Sequence, residues 1–287
     1  MSHLPPHGER WQQAWEVRCQ RFAPRIQFDR PSATLPVSVT GTACALHCAH
    51  CDAHYLTGMR RLTDPALERA RSLLISGGCD LQGRVPVLPH LASILRAGAG
   101  KRLNWHVGLI DEETVRAIEP YVDVVSFDMV GDDETIREVY GLERTVADYV
   151  ATYRMLRRHV RVVPHVTVGL WGGEMHGEQQ TLRLLQELGA EAVVFIVFIP
   201  TSGTRYADRQ PPVVEQVVDL LAEARIMFAD TPLLLGCMRP AGQYRDRLDA
   251  LAVEVGLNKI VNPARTAVAA AQRLGLTVEW GEECCAL

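Results

Sequence analysis

Short apolar runs alternate with segments of helical period along most of this 287-residue chain, and few folds accommodate that rhythm. Eight runs read as strands, at 36–39, 73–76, 102–107, 122–128, 160–168, 192–199, 232–235 and 258–261. Helical signals lie between them. Thr145 and Asp148 have the spacing of a capping box, ahead of Val146, Tyr149, Val150 and Tyr153 on one face. Pro211 and Pro212 open a helix with Val214, Val217, Val218 and Leu221 at i, i+3, i+4 and i+7. Another carries Tyr244, Leu248, Leu251, Ala252 and Val255 before a stopping Gly256. Such alternation is the pattern of parallel βα units. The expectation is an α/β fold, a complete (βα)8 TIM-type barrel in a single domain over 1–287. A partial (βα)6 barrel with a C-terminal extension is the alternative. A helix at about 5–22, with Trp11, Trp15 and Val17 on its apolar side, precedes the barrel, and a cysteine tail at about 276–287 follows it.

Composition narrows the class. The net charge of −4 leaves no electrostatic footprint for nucleic acid. The N-terminus lacks an apolar signal region, and the longest apolar run, 192–200, is too short to span a bilayer. A cytoplasmic protein without a membrane role is expected. Eight unevenly spaced cysteines do not read as a disulfide framework. Of these, Cys19 reads as an ordinary buried thiol.

Cys44, Cys48 and Cys51 stand in C-x3-C-x2-C spacing within TGTACALHCAHCDAHYLTGM. Thiolates are soft ligands for iron–sulfur clusters or zinc. A cubane cluster normally takes four of them, so three on one loop leave an iron open for chemistry. A structural zinc, completed by His47, His50 or His54, is the competing reading; zinc motifs usually come as two separated pairs.

A barrel of this kind carries its active site at the C-terminal ends of its strands, and the unusual residues collect there. The cysteine loop follows the first run and Ser76-Gly77-Gly78-Cys79 ends the second. His106, Asp128 and His165 sit at or near the ends of the next three. Gly169 opens GLWGGEMHGE, which ends at Glu178, and Cys237 and Arg239 lie in GCMRP after the seventh run. Cys79, Cys237, Cys284 and Cys285 are four further thiols, a tentative ligand set for an auxiliary cluster. Redox-active or sulfur-handling thiols are the other reading of that set.

The cysteine loop resembles that of the radical S-adenosylmethionine (SAM) superfamily. In that superfamily the open iron chelates the amino and carboxylate groups of SAM, and an electron from the cluster cleaves the sulfonium to a 5′-deoxyadenosyl radical. The resemblance implies that Ser76, Gly77 and Gly78 meet the SAM amino group, that Gly169 supports the adenine with Glu178 behind it, and that Asp128 meets the ribose or methionyl part. His106, His165 and Arg239 are candidate substrate contacts. Two positions depart from the family pattern: His50 stands for the usual aromatic before the third cysteine, and Cys79 for the usual glutamate.

At branch level the chain resembles the biotin synthase-like enzymes. The set CALHCAHCDAHYL, SGGCD, VSFDMVGDDETIREVYGL, FIVFIPTSGT, LGCMRP and a terminal ECC is most similar to the smaller-subunit type of the two-protein lipoyl synthase. This implies sulfur insertion into an octanoyl chain on a lipoyl carrier protein. The sulfur would come from the auxiliary cluster, and a second radical SAM protein and a low-potential electron donor such as ferredoxin would be partners. Arg205, Arg209 and Arg239 would guide the acidic carrier. A biotin synthase-like enzyme with another substrate, and a non-catalytic zinc or iron–sulfur module, are the alternatives.

Overall fold

The computed structural model describes residues 8–287. The expected start of the first helix, at Pro5, lies outside them; the helix runs Glu9–Arg21. Ten strands follow: β1 (Arg25–Asp29), β2 (Thr34–Ser38), β3 (Ser72–Ser76), β4 (Arg102–Trp105), β5 (Val124–Asp128), β6 (Val162–Val168), β7 (Val193–Val197), β8 (Leu233–Leu235), β9 (Lys259–Val261) and β10 (Thr277–Gly281). All eight expected strands are present, with ends shifted by a residue or two. The fold is parallel α/β of the TIM type.

The chain divides into two compact units. One comprises Ser32–His165 and Pro200–Arg209 with the last two residues. Its strands run in the order β2-β3-β4-β5, with β6 beside β5, all parallel. Val37, Leu73, Ile75, Trp105, Val124 and Phe127 are essentially fully buried, which is why these strands read as continuous apolar runs. The outer edge of β2 is bridged by Arg60, whose N–H donates to Pro36 O at 2.8 Å and whose carbonyl accepts from Ser38 N at 2.9 Å.

The other unit comprises the described part of Met1–Pro31, Val166–Ile199 and Gln210–Cys285. Here β1 pairs with β9 on one side and β10 on the other. β9 has β8 and β1 as neighbours, and β10 stands at the end of the strand order, so two strands join the eight read from the sequence. β1 escaped the sequence reading because RIQFD offers only two apolar residues, and β10 because TVEWG is largely exposed. Helix Glu9–Arg21 packs on helix Val214–Met227, with Trp11 Nε1 donating to Asp219 Oδ1 at 2.6 Å. Cys19, expected to be buried, is exposed on it. No described helix is long and apolar enough to cross a membrane.

Candidate active site

The cysteine loop leaves β2 and is held in place by its neighbours. Ala45 N–H donates to Cys79 O at 2.8 Å and Ala49 N–H to Val139 O at 2.7 Å, while Ala49 O accepts from Tyr206 N at 2.9 Å. Gly78 N–H donates to Thr40 Oγ1 at 2.7 Å. A Cβ on Gly78 would lie 1.9 Å from Ala43 O and 2.6 Å from Cys44 Cα. Glycine stands here because two backbones meet. In this structure the Gly77-Gly78 pair therefore braces the cysteine loop, and the Gly78 N–H is already engaged.

After Cys51 the chain turns sharply. Asp52 and Ala53 take left-handed φ values of 43° and 61°, a costly conformation that persists where surrounding structure enforces it. Backbone hydrogen bonding at Tyr55, Ala53 and His54 favours the Cys51 thiolate, while His54 N–H donates to Cys51 O at 2.8 Å. Successive backbone N–H groups stabilise an anion. Burial still raises the Cys51 thiol, with Cys44 adding to it against those amides. Burial, then Cys51, Cys44 and Cys79, pushes Cys48 further up. Burial, then Cys44, Asp80, Asp128 and Cys51, pushes Cys79 up to about 12. Four thiols thus lie within electrostatic reach of one another, with no cation among the influences named.

That donor set fits an iron–sulfur cluster: soft sulfurs, backbone that favours one of them as a thiolate, and mutual repulsion that bound iron reverses. Among the described residues no group of three or more His, Cys, Asp or Glu side chains is placed to hold a single metal ion, zinc included.

His106, Asp128 and His165 come together beside the cysteines. His106 Nε2 lies 3.0 Å from Asp128 Oδ2. The His106 and His165 rings stack at 6.3 Å with 22° between planes. Burial alone would raise the Asp128 carboxyl, but His106, by charge and hydrogen bond, outweighs it with help from His165 and His50 and brings it to about 2. Burial alone would lower His106, and Asp128 reverses this, holding it above its ordinary value. Burial takes His165 down to about 4, so it is neutral at pH 7. The pair keeps about a third of its side-chain surface open, 37% for His106 and 35% for Asp128. Such a pair, desolvated yet reachable, suits a ligand-facing site.

Sequence reasoning missed Tyr140. It ends a π-helical turn, Ile136–Tyr140, a feature that frequently marks functional sites. Its ring meets His50 edge-on at 5.7 Å and 89°. Burial, followed by Asp128, raises the Tyr140 phenol well above its ordinary value. Burial takes His50 to about 4, and its Nδ1 is buried without a hydrogen-bond partner. A π turn leaves no signature in the hydrophobic period.

In the other unit, Gly169 (φ 72°) donates its N–H to Glu178 Oε1 at 2.8 Å, and its carbonyl accepts from Gly173 N at 2.7 Å. Its backbone is thus largely engaged, and Glu178 is its partner. Arg239 is 1% exposed. Its Nε and Nη2 grip both Asp249 oxygens at 2.7 Å, and Nη1 donates to Gly236 O and Val261 O. This overturns Arg239 as a substrate or carrier contact: its donors are spent inside the fold. Arg205 is exposed but already pairs with Glu138 Oε1 at 2.7 Å.

Cys237, Cys284 and Cys285 lie within electrostatic reach of one another in this unit. Burial, then Cys284 and Cys237, raises Cys285 well above its ordinary value, with Lys259 opposing. Lys259 donates to Cys284 O at 3.3 Å and pairs with buried Asp29 at 2.6 Å. The four thiols expected to act as one set therefore have different immediate company: Cys79 has the loop cysteines, and the other three have each other.

No protein-family model matches this sequence, and no curated protein does. Solved structures do resemble it. Methylornithine synthase (PylB) superposes with a TM-score of 0.69 at 14% identity, over 94% of this chain and 88% of that one. The FeFe-hydrogenase maturase HydG from Carboxydothermus hydrogenoformans gives 0.64 at 15%, over 88% of this chain and 62% of its own length. The HMG-CoA lyase from Brucella melitensis gives 0.55 at 12%, over 90% and 93%. At these identities the likeness is one of fold, and one barrel hosts many reactions.

Proposed function

We propose that the chain is a radical SAM enzyme. The observation that carries this reading is the cysteine loop, three thiols in C-x3-C-x2-C spacing whose backbone favours the third as a thiolate. The fold shared with PylB and HydG supports it. Cys44, Cys48 and Cys51 would hold a [4Fe–4S] cluster, which with SAM would supply a 5′-deoxyadenosyl radical. The protein's part is to bind, orient and exclude water, as in other cofactor enzymes. Asp128, kept ionised by His106, is the anion that meets a ligand hydroxyl or ammonium group. His165 and Tyr140 stay neutral beside it and wall the site.

The finer reading is sulfur insertion into a protein-bound octanoyl chain, with a lipoyl carrier protein, a second radical SAM protein and a low-potential electron donor such as ferredoxin as partners. Acid–base help of about 10²–10⁴-fold does not activate an unactivated methylene, so this substrate calls for radical chemistry. The gathering of Cys237, Cys284 and Cys285 supports it as the place for a second cluster, the sulfur source. A biotin synthase-like radical enzyme with another substrate is the second reading, favoured equally by the fold shared with PylB and HydG.

Anaerobic reconstitution followed by reduction in the presence of SAM tests the first statement. 5′-Deoxyadenosine should form in the wild type and not in a Cys44/Cys48/Cys51 triple alanine variant. A colourless, zinc-loaded protein that leaves SAM intact would remove the enzyme reading. Octanoyl-lysyl peptide, added with and without the partner protein, should raise 5′-deoxyadenosine formation; no rise removes the lipoyl assignment. Iron retained by the triple variant reports the second cluster.

A further inference from the structure

We propose that Cys79 is a fourth, displaceable ligand of the cluster at Cys44, Cys48 and Cys51, bound until SAM takes its place. This rests on the radical reading above and adds a resting state to it.

Cys79 is tied to the cysteine loop by backbone. Its carbonyl accepts from Ala45 N at 2.8 Å. The preceding Gly78 donates to Thr40 Oγ1 at 2.7 Å and has no room for even a methyl group against Ala43 and Cys44. These links over two residues fix the Cys79 Cα relative to Cys44. The Cys79 thiol lies within electrostatic reach of Cys44 and Cys51, and Cys48 within reach of Cys79. A cubane cluster binds four thiolates when four are in reach.

The nearby carboxylates are committed elsewhere. Asp80 accepts from Arg84 Nε at 3.0 Å and from the backbone of Gln82 and Arg84. Asp128 is paired with His106. Cys79 is the soft donor left for the fourth iron. Its exchange for SAM is redox-neutral. The Fe–S bond to Cys79 breaks, the amino and carboxylate groups of SAM bind the iron, and the released thiolate takes a proton from water.

The test compares wild type and Cys79→Ala anaerobically, both in a Cys284→Ala/Cys285→Ala background that removes other thiol-bound iron. Mild ferricyanide strips the odd iron from a three-thiolate cluster. Without SAM, Cys79→Ala should lose about one iron in four and develop the electron paramagnetic resonance signal of a [3Fe–4S] cluster, while wild type resists. Cys79→Ser, closer in size and polarity, should fall between them. Equal iron loss in wild type and Cys79→Ala overturns the proposal, as does equal resistance. The radical reading fails separately. If wild type resists oxidation but neither protein cleaves SAM, the ligand stands and the radical chemistry falls. If wild type cleaves SAM yet sheds iron as readily as the variant, the reverse holds.

Discussion

His106 Nε2 sits 3.0 Å from Asp128 Oδ2, joining the turn after β4 to the end of β5. The His165 ring stacks on the far member of the pair, His106, at 6.3 Å. Each partner favours the charged form of the other, in a place where burial opposes both charges.

Asp128→Asn removes the anion that raises the His106 pKa. Burial then acts on the imidazole alone, and its pKa should fall below the ordinary value of about 6.5, read by NMR titration. In the wild type His106 is raised, so its share of stability is complete below about pH 6.5 and fades as pH rises through its folded pKa. Asp128 is lowered, so its share is present above about pH 4 and fades as pH falls through about 2. With a third of each side chain open to water, solvent screening limits the stability loss in the variant to about 1 kcal/mol. An unchanged His106 titration would show that the pair is not coupled.

Gly78→Ala should break the brace between β3 and the cysteine loop. The new Cβ meets backbone at 1.9 Å and 2.6 Å, where no side chain can yield. A loss of about 1–3 kcal/mol or more is expected, with poor iron uptake on reconstitution. Gly77→Ala is the control, since its nearest contacts are side-chain atoms at 3.1–3.2 Å. Equal urea midpoints for the two variants would refute the packing argument.

Asp249→Asn leaves the Arg239 guanidinium buried without its full counter-charge. Breaking one side of a buried pair costs about 3–5 kcal/mol. Both side chains are fully buried, so little solvent screening softens the loss. Arg239→Met with Asp249→Leu should recover much of it. Denaturant unfolding of the wild type and the two variants decides the matter. If the double variant is no better than the single one, Arg239 matters for more than this pairing.

Glu178 is 3% exposed, and burial raises its carboxyl despite the backbone N–H groups of Gly169, Glu178 and His176. A raised folded pKa means that the fold loses stability as pH climbs from about 4.5 through that folded value. Glu178→Gln keeps an acceptor for Gly169 N–H and carries no charge. Its stability should match wild type in acid and exceed it at neutral pH. A flat difference across pH would exclude the buried charge as the cause.

The eight apolar runs and the three-cysteine loop were readable because both are local. Strand period and ligand spacing span a few residues, and the residues concerned do their work with near neighbours in the chain. The capping box at Thr145 belongs to the same group, with Asp148 Oδ2 accepting from Thr145 N at 2.8 Å. Arg239 was misread for the complementary reason. An arginine after a strand looks like a surface charge until Asp249 and the carbonyls of Gly236 and Val261 are brought around it.

Local pattern therefore settled the parallel α/β class and singled out the cysteines as the chemistry-bearing loop. Folding at long range settled the rest. Arg25–Asp29 found partners at Lys259–Val261 and Thr277–Gly281, more than two hundred residues away, so two strands join the eight. Cys79 was delivered to Cys44, and Cys237 to Cys284 and Cys285, by strand register and backbone packing. Contacts of that range depend on how elements stack after each has formed, and sequence periodicity carries no record of that stacking.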